Sequence, residues 1–297
     1  MRTLAFFLVV GLLLVGFTGC SSTQHQKGAY AVESPGDQEF QGPRGNLRKG
    51  NTRTIVLVYH NIVADASKAA GSSLTVKEFA EQMAYLYANN YQTLGLEELL
   101  TYYNGQSFPE KSVMLTFDDG YQSFYTLAYP VLKKYGFRAT IFPIVGMTPG
   151  LERQIIWNEH LTFHELRTMI KESGLIDIGS HTYDLHYYRE DGHPAIQRQN
   201  GESEEDYIYR ITKDLRVSKD ILELQTDQRV TALAWPYGLT NQTAVQIAKE
   251  LGYRFLFTLQ QQPLIPDTPL DRIPRYGVSS GSIKSFKEIL SKGGAVN

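Results

Sequence analysis

The chain has 297 residues, 42% of them hydrophobic, enough for one large domain with a substantial core or two small ones. A net charge of −2 and a pI near 6.4 argue against a nucleic-acid partner, and a single cysteine excludes a disulfide framework. Aromatic residues make up 12% of the chain, 19 of them Tyr, enough to line a cleft for a sugar or peptide as well as to pack a core.

The chain opens MRTLAFFLVVGLLLVGFTGCSST, with one Arg, an apolar run from Leu4 to Phe17, then small residues before Cys20. This is the layout of a secretory signal, and the run is shorter than the roughly 20 residues of a spanning helix. FTGC resembles a bacterial lipobox, which implies removal of residues 1–19 and lipidation of Cys20. The alternative is an ordinary signal peptide with a chance cysteine. Residues 20–52 are rich in Gln, Gly, Ser and Pro without periodicity, and read as a tether. The expected organisation is an export signal, a lipidated tether and a folded domain over 53–297. The protein is then anchored to a membrane without spanning it, with the domain outside the cytoplasm in the cell envelope.

Thr52–His60 is a continuous apolar run of the buried-strand type. A helix follows from Thr75, where Thr75 and Glu78 form a capping box. Ser112–Phe117 is the next strand and Ser123–Tyr135 the next helix, with Pro130 placed to kink or divide it. Ala139–Gly146 is a third strand, a helix capped by Thr162 and Glu165 runs to about Ser173, and Leu175–Ser180 is a fourth strand. The segment Tyr187–Glu205 has the composition of a surface insertion, with no catalytic reading of its charges. A long helix from Glu204 to Leu224 leads to the strand Arg229–Trp235, and a helix over Thr240–Leu251 leads to Tyr253–Leu259. RIPRYGV and a short helix after Ser282 close the chain within about 40 residues of that last strand, so no additional hydrolase-like domain is expected.

Unbroken apolar strands alternating with helices indicate parallel strands covered on their outer side. With no glycine-rich dinucleotide loop, the α/β fold expected is a distorted or incomplete (β/α) barrel of about seven parallel strands surrounded by helices. In such barrels functional residues gather at the C-terminal strand ends. Those ends carry His60, the adjacent Asp118 and Asp119, His181 with His186 five residues on, and Pro236 with Tyr237. Two like charges side by side raise each other's pKa and are expensive to bury. A cation resolves this: two imidazoles and one carboxylate hold a divalent metal and leave positions for water and substrate. One aspartate then ligates the metal while the other is free to take a proton, and Gly120 permits the tight turn that aims both. Each histidine alone is as well explained as a surface or satisfied core residue. The five-residue spacing also separates the two on a helix, so a loop has to bring them together.

TFDDG, SHTYDLH and WPYG together resemble the motifs of the polysaccharide deacetylase (NodB homology) family, closest to the branch of poly-β-1,6-N-acetylglucosamine N-deacetylases of biofilm systems. The resemblance covers about residues 54–291. It implies Asp118 as catalytic base, Asp119, His181 and His186 as metal ligands, and the Tyr237 backbone N–H as oxyanion donor, with Trp235 or Pro236 walling the cleft. Two family features are absent: an arginine before the WPYG proline, and a late leucine-x-histidine motif that supplies the general acid. No histidine follows His193, so the acid is expected from His60 in VYHNI, a relocation similar to that of the biofilm branch. Arg275 in RIPRYG is the candidate to replace the arginine by pairing with Asp118, with Arg272 as its rival and a plain structural ion pair as the other reading.

The resemblance implies metal-dependent N-deacetylation of a β-1,6-linked N-acetylglucosamine polymer with release of acetate. The cofactor is one divalent ion, zinc first, with nickel, cobalt and iron suiting the same mixed nitrogen and oxygen donors. The partners it implies are that polymer, a membrane reached through the lipid, and exopolysaccharide synthesis or export machinery. The rivals are a deacetylase of chitin-like oligosaccharides or peptidoglycan, and a non-catalytic sugar-binding lipoprotein. A zinc peptidase of another fold is disfavoured, since neither HExxH nor a third histidine ligand is available.

Overall fold

The computed structural model describes residues 53–104, 107–149 and 159–293. The export signal, Cys20 and the tether lie outside the described residues.

Strand β1 (Ile55–Tyr59) is buried along its whole length and pairs in parallel with β5 (Ser112–Asp119). The short β2 (Ile62–Val63) and β3 (Leu74–Thr75) pair with each other just outside this ladder. Two elements absent from the sequence reading come next, β4 (Gln92–Leu94) and α2 (Leu96–Tyr103). β4 pairs with Ser112–Met114 of β5, and β6 (Ala139–Pro143) pairs with Thr116–Asp119. From β6 the sheet continues to β7 (Ile176–Ile178). A single parallel bridge, Ser180 to Leu233, carries the ring to β8 (Ala232–Ala234), which pairs with β9 (Phe255–Phe257). A second bridge, Phe257 to Ile273, leads to β10 (Tyr276–Gly277), which returns to β1. Seven parallel strands, β1 and β5 to β10, thus close a distorted barrel, as the alternation of apolar runs and helices implies.

The period of two along the strands separates the two cores. Val56, Met114, Phe142, Ala232, Ala234, Phe255 and Phe257 fill the lumen, whereas Ile55, Leu57, Tyr59, Val113, Leu115 and Phe117 meet the helices. Tyr59, Phe79, Phe117 and Phe124 form a ring cluster on that outer side, with centroids 4.6–5.7 Å apart.

The helices start where their caps dictate. Thr75 caps α1 (Val76–Ala88) and Thr162 caps α4 (Phe163–Ser173), each in a reciprocal box with a Glu three residues on. The expected helix over Ser123–Tyr135 is divided as Pro130 suggests: a π-turn at Phe124–Ala128 gives way to α3 (Tyr129–Tyr135), where Pro130 stands in the first turn and no amide is missed. α5 (Glu204–Thr226) runs two residues beyond its expected end, α6 (Gln242–Glu250) starts at its Asn241 cap, and α7 (Ile283–Ser291) follows Ser282. Among the described residues no helix is long and apolar enough to cross a membrane.

Candidate metal centre and carboxylate–arginine pair

β5 does not end before the aspartates, as the sequence reading has it. It includes both, with Asp118 opposite Phe142 and Asp119 opposite Pro143. Alternation puts Asp118 on the lumen side with Met114 and Thr116, and would put Asp119 on the outer side. The backbone of Asp119 turns to φ 69 instead, and Gly120 follows at φ 76. A Cβ on Gly120 would stand 2.7 Å from the Pro143 Cβ, so this double left-handed step needs glycine there. It brings Asp119 Oδ1 within 3.5 Å of Nε2 of both His181 and His186.

The histidine loop is held from several sides. His181 N donates to the Pro143 carbonyl, and the carbonyls of Thr182 and Tyr183 accept from the N–H groups of Val145 and Gly146. Thr182 sits at φ 72; its N–H donates to Ser180 Oγ and its own hydroxyl accepts from Leu185 N. Asp214 of α5 accepts the next two amides, Tyr183 N on Oδ1 and Asp184 N on Oδ2, both at 2.8 Å. This turn makes neighbours of His181 and His186, with ring centroids 4.8 Å apart.

The donor set fits a divalent cation. One ligand atom from each of Asp119, His181 and His186 lies within 4.8 Å of the others. The two Asp–His separations of 3.5 Å match the roughly 3.4 Å between neighbouring donors at about 2.1 Å from a tetrahedral ion. Asp119 Oδ1 is buried without a hydrogen-bond partner, an orphan that a cation satisfies. His181 Nδ1 lies 2.7 Å from the Ala234 carbonyl, so it donates there and leaves the Nε2 lone pair facing the cluster. Burial, partly offset by Asp118, pushes the His181 imidazole down to about 4, so it is the neutral, ligating form at neutral pH.

Asp118 stands beside this cluster, its Oδ2 4.0 Å from His181 Nε2, and has a different partner. Arg275 donates from Nη1 to Oδ1 and from Nη2 to Oδ2, both at 2.7 Å, and from Nε to the Thr258 carbonyl. The guanidinium is fully buried and flanked by the rings of Phe142 and Phe257. Burial would raise the Asp118 carboxyl, but Arg275, then His181 and His60, hold it at about 2. Arg272 is excluded as the partner: its side chain is 64% exposed and pairs with Asp271.

His60 follows β1, with a buried Nδ1 that has no hydrogen-bond partner. Tyr237 follows β8 at φ 58, in the left-handed region. Among the described residues five non-glycine residues have a positive φ, and three of them, Asp119, Thr182 and Tyr237, line this one site, the kind of place where such strain is kept. Trp235 is buried, with an indole N–H that lacks a partner.

Sequence reasoning missed Asp214 and Tyr188. Asp214 lies on the buried stripe of α5 marked by Tyr207, Ile211, Leu215, Ser218 and Leu222, and a carboxylate on such a stripe is the signal that could have exposed it. Tyr188 belongs to the segment read as an inert insertion, yet its ring lies 4.6 Å from that of Tyr237, which lies 4.4 Å from His186.

The family described as Polysaccharide deacetylase matches residues 105–256. A protein of Staphylococcus epidermidis named poly-beta-1,6-N-acetyl-D-glucosamine N-deacetylase is 32% identical over 237 residues, 76% of this chain and 75% of that one. The protein of the same name from Escherichia coli K12 is 28% identical over 257 residues, and the match covers 79% of this chain but 38% of that longer one. A solved de-N-acetylase of Aggregatibacter actinomycetemcomitans superposes with a TM-score of 0.71 at 25% identity, covering 80% of this chain and all of that one. The chain belongs to the polysaccharide deacetylase family, enzymes that hydrolyse N-acetyl amide bonds in polysaccharides.

Proposed function

We propose that the protein removes acetyl groups from a secreted β-1,6-linked N-acetylglucosamine polysaccharide, the substrate named for its Staphylococcus epidermidis and Escherichia coli relatives. The observation that carries the chemistry is the buried Asp118–Arg275 pair beside the Asp119, His181 and His186 cluster. Asp119, His181 and His186 would hold one divalent ion, zinc being the first choice. Such an ion would lower the pKa of water from about 16 toward about 7 and would polarise the acetamide carbonyl. Asp118, kept ionised and aimed by Arg275, is the base that receives that proton as water adds to the carbonyl carbon. The Tyr237 backbone N–H donates to the oxygen on which negative charge develops. His60 delivers a proton to the nitrogen as the C–N bond breaks, leaving acetate and an amine.

The support for export and anchoring is the sequence pattern alone. In this reading residues 1–19 direct export, Cys20 carries the lipid, residues 20–52 form the tether and residues 53–297 form the deacetylase domain, in the cell envelope beside exopolysaccharide synthesis or export machinery. Incorporation of labelled palmitate, lost in Cys20→Ser, tests the anchor.

The reaction is tested by release of acetate and free amine from β-1,6-linked N-acetylglucosamine oligomers, with a β-1,4 series alongside. Asp118→Asn is expected to lower kcat by about 10²–10⁴ while the metal content stays the same, and chelation is expected to abolish turnover. Release from the β-1,4 series alone would keep the mechanism and overturn the substrate.

A further inference from the structure

Tyr188 is 58% exposed, and a single exposed tyrosine ordinarily needs no explanation. Its neighbours make this one different. The His181 and His186 rings are 4.8 Å apart, His186 and Tyr237 are 4.4 Å apart, and Tyr237 and Tyr188 are 4.6 Å apart. Exposure rises along this series, from the buried His181 through the partly covered His186 and Tyr237 to Tyr188. A continuous wall of rings therefore runs from the candidate metal centre out to solvent, and Tyr188 is its outer end.

The backbone that carries the outer ring is also fixed in place. Tyr188 forms a backbone bridge with Pro194, and Ala195 N donates to the Tyr187 carbonyl. Arg210 of α5 donates to the carbonyls of Ala195 and Gln197 and pairs with Glu202 at 2.7 Å, while the Tyr207 hydroxyl donates to the Ile196 carbonyl. These bonds tie the insertion's backbone to α5, and the ring packs against Tyr237, so a ligand loses less to ordering it than it would on a free loop.

A wall that leaves the site where one sugar unit reacts meets the neighbouring unit of the same polymer. A pyranose presents an apolar face of C–H groups and a polar edge of hydroxyls, which suits an exposed ring whose own hydroxyl stays wet. Where that neighbour has lost its acetyl group, its ammonium is drawn to the same ring face. We infer that Tyr188, set against Tyr237, is the stacking platform for the hexosamine unit next to the one being deacetylated, and so contributes to preference for longer chains. The inference rests on the proposed amino-sugar polymer as substrate.

The test compares the wild type with Tyr188→Ala and Tyr188→Phe, metal-loaded, on N-acetylglucosamine dimer and hexamer, with calorimetric titration of the hexamer run beside turnover. Tyr188→Ala is expected to lower the hexamer-to-dimer ratio of kcat/KM by about three- to tenfold, mainly through KM. It is also expected to weaken hexamer binding by a similar factor, with Tyr188→Phe close to wild type in both. An unchanged ratio with a fall in kcat on both oligomers would overturn the platform, since Tyr188 would then only buttress Tyr237. Unchanged binding and kinetics would also overturn it. A wild type that binds the hexamer without releasing acetate would overturn the proposed reaction while the titration still reads the platform. A wild type that neither binds nor turns over any oligomer would overturn both.

Discussion

Burial alone would push the Asp118 carboxyl up, yet Arg275 holds it at about 2 through two 2.7 Å bonds. A carboxylate depressed in the folded state stabilises the fold above its unfolded pKa. That contribution is lost as pH falls from about 4 toward about 2. Arg275→Gln is expected to cost about 3–5 kcal/mol, because an uncompensated buried charge remains. It is also expected to move the acid limb of the pH–rate profile up by about 1–3 units; urea melts and a pH–rate series check the two. Arg275→Lys keeps the charge but not the planar fork, and is expected to fall between Gln and wild type. Glycines offer a second comparison. Gly174, the αL cap of α4, has open space where a Cβ would stand, so Gly174→Ala meets backbone strain alone, roughly 1–2 kcal/mol. Gly120→Ala adds contacts of 2.7 and 2.8 Å with Pro143 and is expected to lose at least twice as much stability, together with metal content measured by elemental analysis.

The loop between β7 and α5 shows how one element positions another. Asp214 satisfies two amides of the turn that carries His181 and His186. Asp214→Ala is expected to weaken metal binding by about 10–100-fold, read by calorimetric titration. Burial, only partly offset by the Tyr183 N–H and by Arg210, pushes this carboxyl up to about 7. A carboxyl raised in the folded state favours the fold fully below its unfolded pKa, and that advantage is lost as pH rises from about 4 through about 7. Asp214→Asn is therefore expected to flatten the stability–pH curve over that window, in urea melts at several pH values. The partnership was not legible in the sequence, because it joins residues 30 or more positions apart across two elements. β4 and α2 were missed: β4 is three residues with only Leu94 fully buried, and α2 is capped by Gly95, whose N–H is met by the Glu98 carboxylate. β4 is too short for an apolar run to announce it, whereas α2 did carry a signal: Leu96, Leu99, Leu100 and Tyr103 recur at helical spacing, with Glu98 placed to cap the start.

On the scale of the whole barrel, the alternation of apolar strands with capped helices made the architecture readable, and the strand-end rule assembled the acidic pair with the two histidines. Closure was not readable, since two of the seven seams rest on single bridges, at Ser180 and Leu233 and at Phe257 and Ile273. The candidate cation ligands come from β5 and from the loop after β7, so an ion bound there would tie strands of the ring together at their C-terminal ends. At a free-metal concentration of 100 times Kd, binding adds about 2.7 kcal/mol, roughly 5–10 °C in melting temperature for a domain of this size. Scanning calorimetry is expected to show that difference between loaded and chelated protein, and His186→Ala is expected to remove it.

Arg275 lies 157 residues beyond Asp118. At roughly 5–20 residues per second of translation, that distance is on the order of 8–30 seconds. Throughout that interval the growing chain contains the adjacent aspartates without the guanidinium that aims one of them, although both histidines are made well before it. The order of synthesis thus places the residues of the candidate metal cluster ahead of the guanidinium that pairs with Asp118. The segment leading into β10, among the smallest strands of the barrel, is the one that completes the buried pair.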